Sequence, residues 1–217
     1  MTFMKGTILL VIGLWLSLAA SAQPTGAGIY KMRWFVDKRL TNSFTINNTG
    51  TTPLNIPQAL YDSVVNEVMK LVKDELFTQV RFIYPLNNRG DEMRYTTTTD
   101  LVGGLPRGTK KKAMKTEYME YYVKFKINVG LNSVGSIGGE VASYSRLKPY
   151  VQIKMKAYGL DRRVKKRKNA RTGKFSSIGS FQYNIGGVTM TNTNAIPIEQ
   201  VVTMVFEGLE KFKNKNK

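Results

Sequence analysis

Two stretches of the chain alternate so strictly that they leave little choice of structure. From Tyr122 to Val129, the residues Val123, Phe125, Ile127 and Val129 fall on one side, and Tyr122, Lys124, Lys126 and Asn128 fall on the other. From Tyr150 to Tyr158, Val151, Ile153, Met155 and Ala157 oppose Tyr150, Gln152, Lys154, Lys156 and Tyr158. Successive strand side chains point to opposite faces, so a period of two with one apolar row predicts a strand half in a core and half in water. Both strands therefore carry an apolar face and a Lys/Tyr face. Ile29 to Val36 repeats the pattern, with Tyr30, Met32, Trp34 and Val36 against Lys31 and Arg33. Val80, Phe82 and Tyr84 give a fourth strand, stopped by Pro85.

Two segments follow the helical period instead. After Pro57, a residue suited to a helix start, come Leu60, Val64, Val68, Leu71 and Leu76 at three- and four-residue intervals. After Pro197, Ile198, Val201, Val202, Val205, Leu209 and Phe212 form a second apolar stripe. Residues 42–53 read as a loop, and residues 86–116, with NNRGDE, four successive threonines, GGLPRG and Lys110-Lys111-Lys112, as a long loop or insertion. Gly-rich residues 130–139 read as the link between the two clear strands. Asp161 to Gly173, DRRVKKRKNARTG, reads as a polar hairpin connection leading to a weaker strand between Phe175 and Ile185. Half-wet strands and two amphipathic helices are best satisfied by an α+β fold: a two-layer sandwich, a mainly antiparallel sheet with both helices on its apolar face.

The N-terminus gives an address. Lys5, the apolar run Thr7 to Leu18 and Ala20-Ser21-Ala22 have the layout of a cleavable secretory signal peptide, with cleavage after Ala22. The apolar run falls short of the roughly 20 residues that span a bilayer. Residues 23–217 then form a single domain, periplasmic or extracellular, with no transmembrane span. The chain has no cysteine, so neither disulfides nor a lipidated cysteine are available, and an exported bacterial protein fits this composition. Without Lys5, 32 basic residues face 15 acidic ones, a net charge of about +17. Outside the cytoplasm such a field attracts acidic lipids, anionic wall polymers and released nucleic acid.

Composition also removes chemistry. There is no histidine and no cysteine, which excludes Ser-His-Asp triads, Cys-His pairs and zinc sites built on those ligands. Ser145-Arg146-Leu147-Lys148 matches a Ser-x-x-Lys pattern that this much serine and lysine produces by chance. Pro149 also turns Lys148 away from the helical geometry that the motif needs. Asp74-Glu75 closes a helix, and Asp91-Glu92 lacks the spacing of a calcium loop. No catalytic residue, cofactor or metal is assigned.

The substantial constellation is basic. If the two clear strands are neighbours, Lys124, Lys126, Lys154 and Lys156 form a positive patch framed by Tyr122 and Tyr158, and Arg162, Arg163, Lys165, Lys166, Arg167 and Lys168 extend it at the strand end. Lysines attract anionic groups, and tyrosines offer flat surfaces for rings to stack on. An open sheet face must be polar in any case, and lysine there also deters aggregation, so solvation is the competing reading of the same residues.

The segment PYVQIKMKAYGLDRRVKKRKNARTGKF and the helix 198–212 after it resemble the strand, polar turn, strand and helix of the small exported envelope domains in the curli-secretion lipoprotein group and at the N-terminus of the Tol-system propeller protein. The resemblance spans about residues 57–212 and implies a non-catalytic role in envelope assembly. The lipid anchor of the curli group does not carry over, because the cysteine is missing. The chain is thus expected to be an exported binding or assembly protein engaging an anionic polymer, a membrane surface or a protein partner. The alternative is a carboxylate-based hydrolase of wall or polysaccharide material, drawing on Asp91, Glu92, Glu117, Glu120 and Glu140.

Overall fold

The computed structural model describes residues 25–47, 49–50 and 52–215; the proposed signal peptide lies outside the described residues. The chain is a mixture of α and β structure, mostly sheet, and the sheet is curled. Its strands are β1 (Ala27–Val36), β2 (Phe44–Ile46), β3 (Thr49–Gly50), β4 (Val80–Phe82), β5 (Tyr121–Gly138), β6 (Ala142–Gly159), β7 (Val164–Thr172), β8 (Ile178–Ile185) and β9 (Val188–Thr193). Among the described residues the helices are α1 (Lys38–Thr41), α2 (Gln58–Leu76), α3 (Lys110–Thr116) and α4 (Ile198–Asn214). The sheet runs β3-β2-β9-β8-β6-β5-β1-β4, and β7 also pairs with β6. Among the described residues only the β1–β4 and β1–β5 pairings are parallel, so the sheet there is mainly antiparallel as expected.

The spine is the hairpin of β5 and β6, 18 residues in each strand. Residues 130–138 are therefore strand, not the expected glycine-rich link. The turn closes at Gly138, whose φ of +139° suits glycine and where an added Cβ would lie 2.4 Å from the Ala142 carbonyl oxygen. Strand β6 is long enough to hold two partners along one edge: Ala142 to Leu147 pair with β8, and Val151 to Tyr158 with β7. Residues 164–172 are thus a strand as well, and the turn between β6 and β7 is confined to the residues just before Val164.

One side of the sheet faces the main core. Ile29, Met32, Trp34 and Val36 of β1, Val123, Phe125, Ile127 and Val129 of β5, and Val151, Ile153, Met155 and Ala157 of β6 join Val64, Val68 and Leu71 of α2 and Val205, Leu209 and Phe212 of α4 in one buried cluster. Each such side chain is worth about 1.5–3 kcal/mol when withdrawn from water. Pro57 and Pro197 occupy the position just before each helix, supplying an extended residue where no backbone donor is needed. Helix α4 reaches the sheet closely at Gly208, where a Cβ would meet Val151 Cγ1 at 2.6 Å. We call this the core side of the sheet and the opposite one the open side.

Tyr30 departs from the expected row. A bulge between Ile29 and Lys31 in the β1–β5 register moves it to a second cluster with Ile83, Ala113, Met119 and Tyr122. The expected long loop is only partly irregular: it contains α3, and its residues 95–107 form a strap along the free part of β1. The Met32 amide donates to the Pro106 carbonyl at 3.0 Å, the Val102 amide to Trp34 at 3.1 Å and the Val36 amide to Asp100 at 2.9 Å. Val102 and Leu105 of the strap are buried in the main core, which is why so polar a segment stays in place.

Candidate functional site: a cationic lattice on the open side

The β1–β5, β5–β6 and β6–β7 registers place basic residues directly opposite one another across four strands. Lys31 pairs with Lys124, Lys124 with Lys156, and Lys156 with Arg167. In the next row Arg33 pairs with Lys126, Lys126 with Lys154, and Lys154 with Asn169. Cross-strand neighbours sit about 5 Å apart at Cβ, and like charges there are unfavourable. The strands thus array seven cations on the open side, and among the described residues none of the seven makes a salt bridge.

The electrostatics register the crowding. Burial pushes the Lys126 ammonium below the ordinary lysine value, and Lys124, Arg33, Lys31 and Lys154 push it the same way. Lys31 is lowered by burial first, then by Lys124, Arg107 and Arg33. Part of the lattice is walled by the strap into a cleft of about 410 Å³, lined by Lys31, Arg33, Lys126, Arg107, Tyr95, Thr96, Thr98 and Leu101. The threonine run serves two surfaces: Thr96 and Thr98 line this cleft, whereas Thr97 lines a neighbouring one of about 520 Å³ with Tyr61, Tyr84 and Arg94. Fixed cations beside the Thr96 hydroxyl form a setting for oxyanions, giving charge together with a hydrogen bond, whereas the Thr98 hydroxyl donates to the Asp100 carboxylate at 2.9 Å.

The structure brings together Lys124, Lys126, Lys154, Lys156 and Arg167 of the expected patch and separates the others. Tyr122 is on the open side but fully buried; its hydroxyl donates to the Glu117 carbonyl at 2.8 Å and accepts from the Met119 amide at 3.0 Å. It frames nothing accessible. Tyr158 is partly buried beneath Lys110, whose Nζ lies 4.4 Å from the ring centre. Lys166 and Lys168 point to the core side, because β7 pairs them with Ala157 and Met155. There both bind Glu75, and Lys168 also lies 5.0 Å from the Phe212 ring centre. Burial alone would raise the Glu75 carboxyl, but the hydrogen bonds from Lys166 and Lys168 hold it below its ordinary value. Arg162 and Arg163 occupy the turn, and Lys165 is neutralised by Asp161 at 2.8 Å.

Lys31, Arg33, Arg107 and the strap hydroxyls were outside the expected patch. The alternation of β1 put Lys31 and Arg33 on its polar face, but their parallel pairing with β5 carries no local signature. Of the acids considered for hydrolysis, Asp91 accepts from the Asn87 side chain, Glu92 pairs with Arg94, Glu117 with Arg81 and Glu120 with the Tyr121 hydroxyl, while Glu140 lies at the exposed β5–β6 turn. Ser145 and Lys148 extend to opposite faces of β6. No group of three acidic, histidine or cysteine side chains suited to a metal ion occurs among the described residues. The chain matches no family model and no curated protein sequence.

Proposed function

We propose that this is an exported, non-enzymatic binding or assembly protein of a bacterial cell envelope, engaging an anionic polymer, a membrane surface or a protein partner through the lattice on the open side. The observation that carries the reading is the crowding of seven cations, none in a salt bridge among the described residues, on four paired strands. Solvation alone would be served as well by mixed charges, which would also avoid the cross-strand repulsion. The base around α2 and α4 reads as a two-layer α+β sandwich that holds these strands in register. The N-terminal signal and the likeness of residues 57–212 to small envelope domains support the location and the absence of catalysis.

The test is retention of the purified protein on immobilised polyphosphate at increasing salt. Replacing Lys124, Lys126, Lys154 and Lys156 with glutamine is expected to lower the eluting salt concentration and flatten the dependence of affinity on salt, because fewer counterions are released on binding. Retention equal to that of the unaltered protein removes the lattice from the function.

A further inference from the structure

Strand β6 alternates along its whole length, so Ala142, Tyr144, Arg146, Lys148 and Tyr150 share the open side with Lys154 and Lys156. Beyond Lys148 the character of that side changes. Across β6, β8 and β9, Tyr144 is opposite Phe181, and Tyr183 is opposite both Ala142 and Met190; the Tyr144 and Phe181 rings are 4.7 Å apart. Ile137 of β5 is opposite Tyr144 and is 80% exposed. The turns of the β5–β6 and β8–β9 hairpins lie side by side, since the Asn184 amide donates to the Val141 carbonyl at 2.8 Å and its side chain to the Glu140 carbonyl at 2.8 Å. Val141 and Ile185 there are 69% and 62% exposed.

We propose that this outer end of the sheet docks on an anionic lipid bilayer, with Ile137, Val141, Phe181, Tyr183 and Ile185 entering the interface and the cations behind them facing the headgroups. The proposal rests on the lattice reading and narrows its partner to one. Two features select the occupant. Apolar side chains at paired turns, backed by aromatic rings with a polar edge, match the boundary between headgroups and acyl chains. The same side of the same strand then carries Arg146 and Lys148 immediately behind the apolar residues, complementary to acidic headgroups within reach of a surface potential. A second copy of the chain would instead set these basic rows against each other on a protein of net charge +18.

The experiment is vesicle flotation with the purified protein, comparing phosphatidylcholine vesicles with vesicles containing about one-third phosphatidylglycerol, a fraction chosen to give strong surface charge. The unaltered protein is expected to float with the anionic vesicles. A combined Ile137→Ser, Phe181→Ser and Ile185→Ser variant with unchanged melting temperature is expected to lose flotation at least tenfold while keeping its retention on polyphosphate. A single Phe181→Trp variant, which keeps the patch apolar, is expected to float and to be quenched by brominated lipid. Flotation of the triple variant equal to that of the unaltered protein overturns the proposal, as does failure of the unaltered protein to bind anionic vesicles. Conversion of an oligomer to a monomer by the triple variant also overturns it, in favour of self-association. Failure of the lattice reading would appear separately, in the polyphosphate arm.

Discussion

The two ends of the long β5–β6 hairpin are built from the same pairing geometry and opposite chemistry. At the base, the core side carries Val151, Ile153, Met155 and Ala157, all buried, and the open side carries lysine. At the outer end, Thr45, Ser180, Thr191 and Thr193 are buried alongside Leu147, with Ser180 and Thr193 hydroxyls 3.1 Å apart, while Phe181, Tyr183 and Ile185 are exposed. The base therefore follows the rule that makes an antiparallel sheet stable, apolar inward and polar outward. The outer end departs from it, with mostly hydroxyl side chains buried and apolar ones exposed. An inverted face costs a protein solubility, and exposed contiguous apolar surface on a sheet marks an interaction site.

That contrast predicts a wide gap in stability effects. Phe212 is fully buried and meets Phe125 edge to face at 5.9 Å; Phe212→Ala should cost about 3–5 kcal/mol. Ile185→Ser, at the outer end, should change stability by less than about 0.5 kcal/mol. Urea unfolding of both variants measures the difference. Comparable losses would mean that the outer end is part of the cooperative core and not a free surface.

The second test probes how the base closes. Lys168 is 6% exposed and depends on Glu75 for its counter-charge, as does Lys166. Glu75→Gln should therefore cost about 3 kcal/mol by leaving a buried ammonium poorly paired. The carboxyl is held below its ordinary value in the folded protein, so its contribution is present above the unfolded value of about 4.3 and is lost as pH falls through the lowered folded value. Unfolding measured from pH 6 down to pH 3 should show a loss in the unaltered protein that is reduced in the variant. Parallel pH profiles would exclude Glu75 as the source.

These contrasts also mark what could be read from the sequence. Strands with one apolar row, such as Tyr150 to Tyr158, were legible because the core alone explains their period. The extension of the same strand back to Ala142 was not, because Ser143 and Ser145 take its core side and Tyr144 its open side, which imitates a loop in any reading that seeks amphipathic strands. Residues 130–138 were obscured by glycine. The basic run Lys165 to Lys168 has the polarity of a turn, yet pairing with β6 makes it a strand. The lattice was half visible: Lys124, Lys126, Lys154 and Lys156 follow from two neighbouring strands, but Lys31 and Arg33 join only through parallel pairing and Arg107 only through the strap. Lys166 and Lys168 were misplaced because a bulge at Lys165 decides which side each one takes.

The smallest effect discriminates most sharply between a lattice kept for binding and one kept for solubility. Lys126 faces Arg33 and Lys154 across its neighbouring strands, so Lys126→Met should stabilise the protein by about 0.5 kcal/mol while weakening retention on polyphosphate. The sign follows from the lowered values of Lys126 and Lys31 in the folded state: the unfolded chain binds more protons, and stability rises with pH between those values and about 10.4. A bound anion reverses the shift, so polyphosphate binding at alkaline pH should be accompanied by proton uptake, measured by calorimetry in buffers of different ionisation heat. Uptake that is reduced in Lys126→Met, with Lys31 supplying the remainder, places the anion on the lattice. A variant that loses stability and binds as before would make the lysines a solvated surface whose repulsion is already screened.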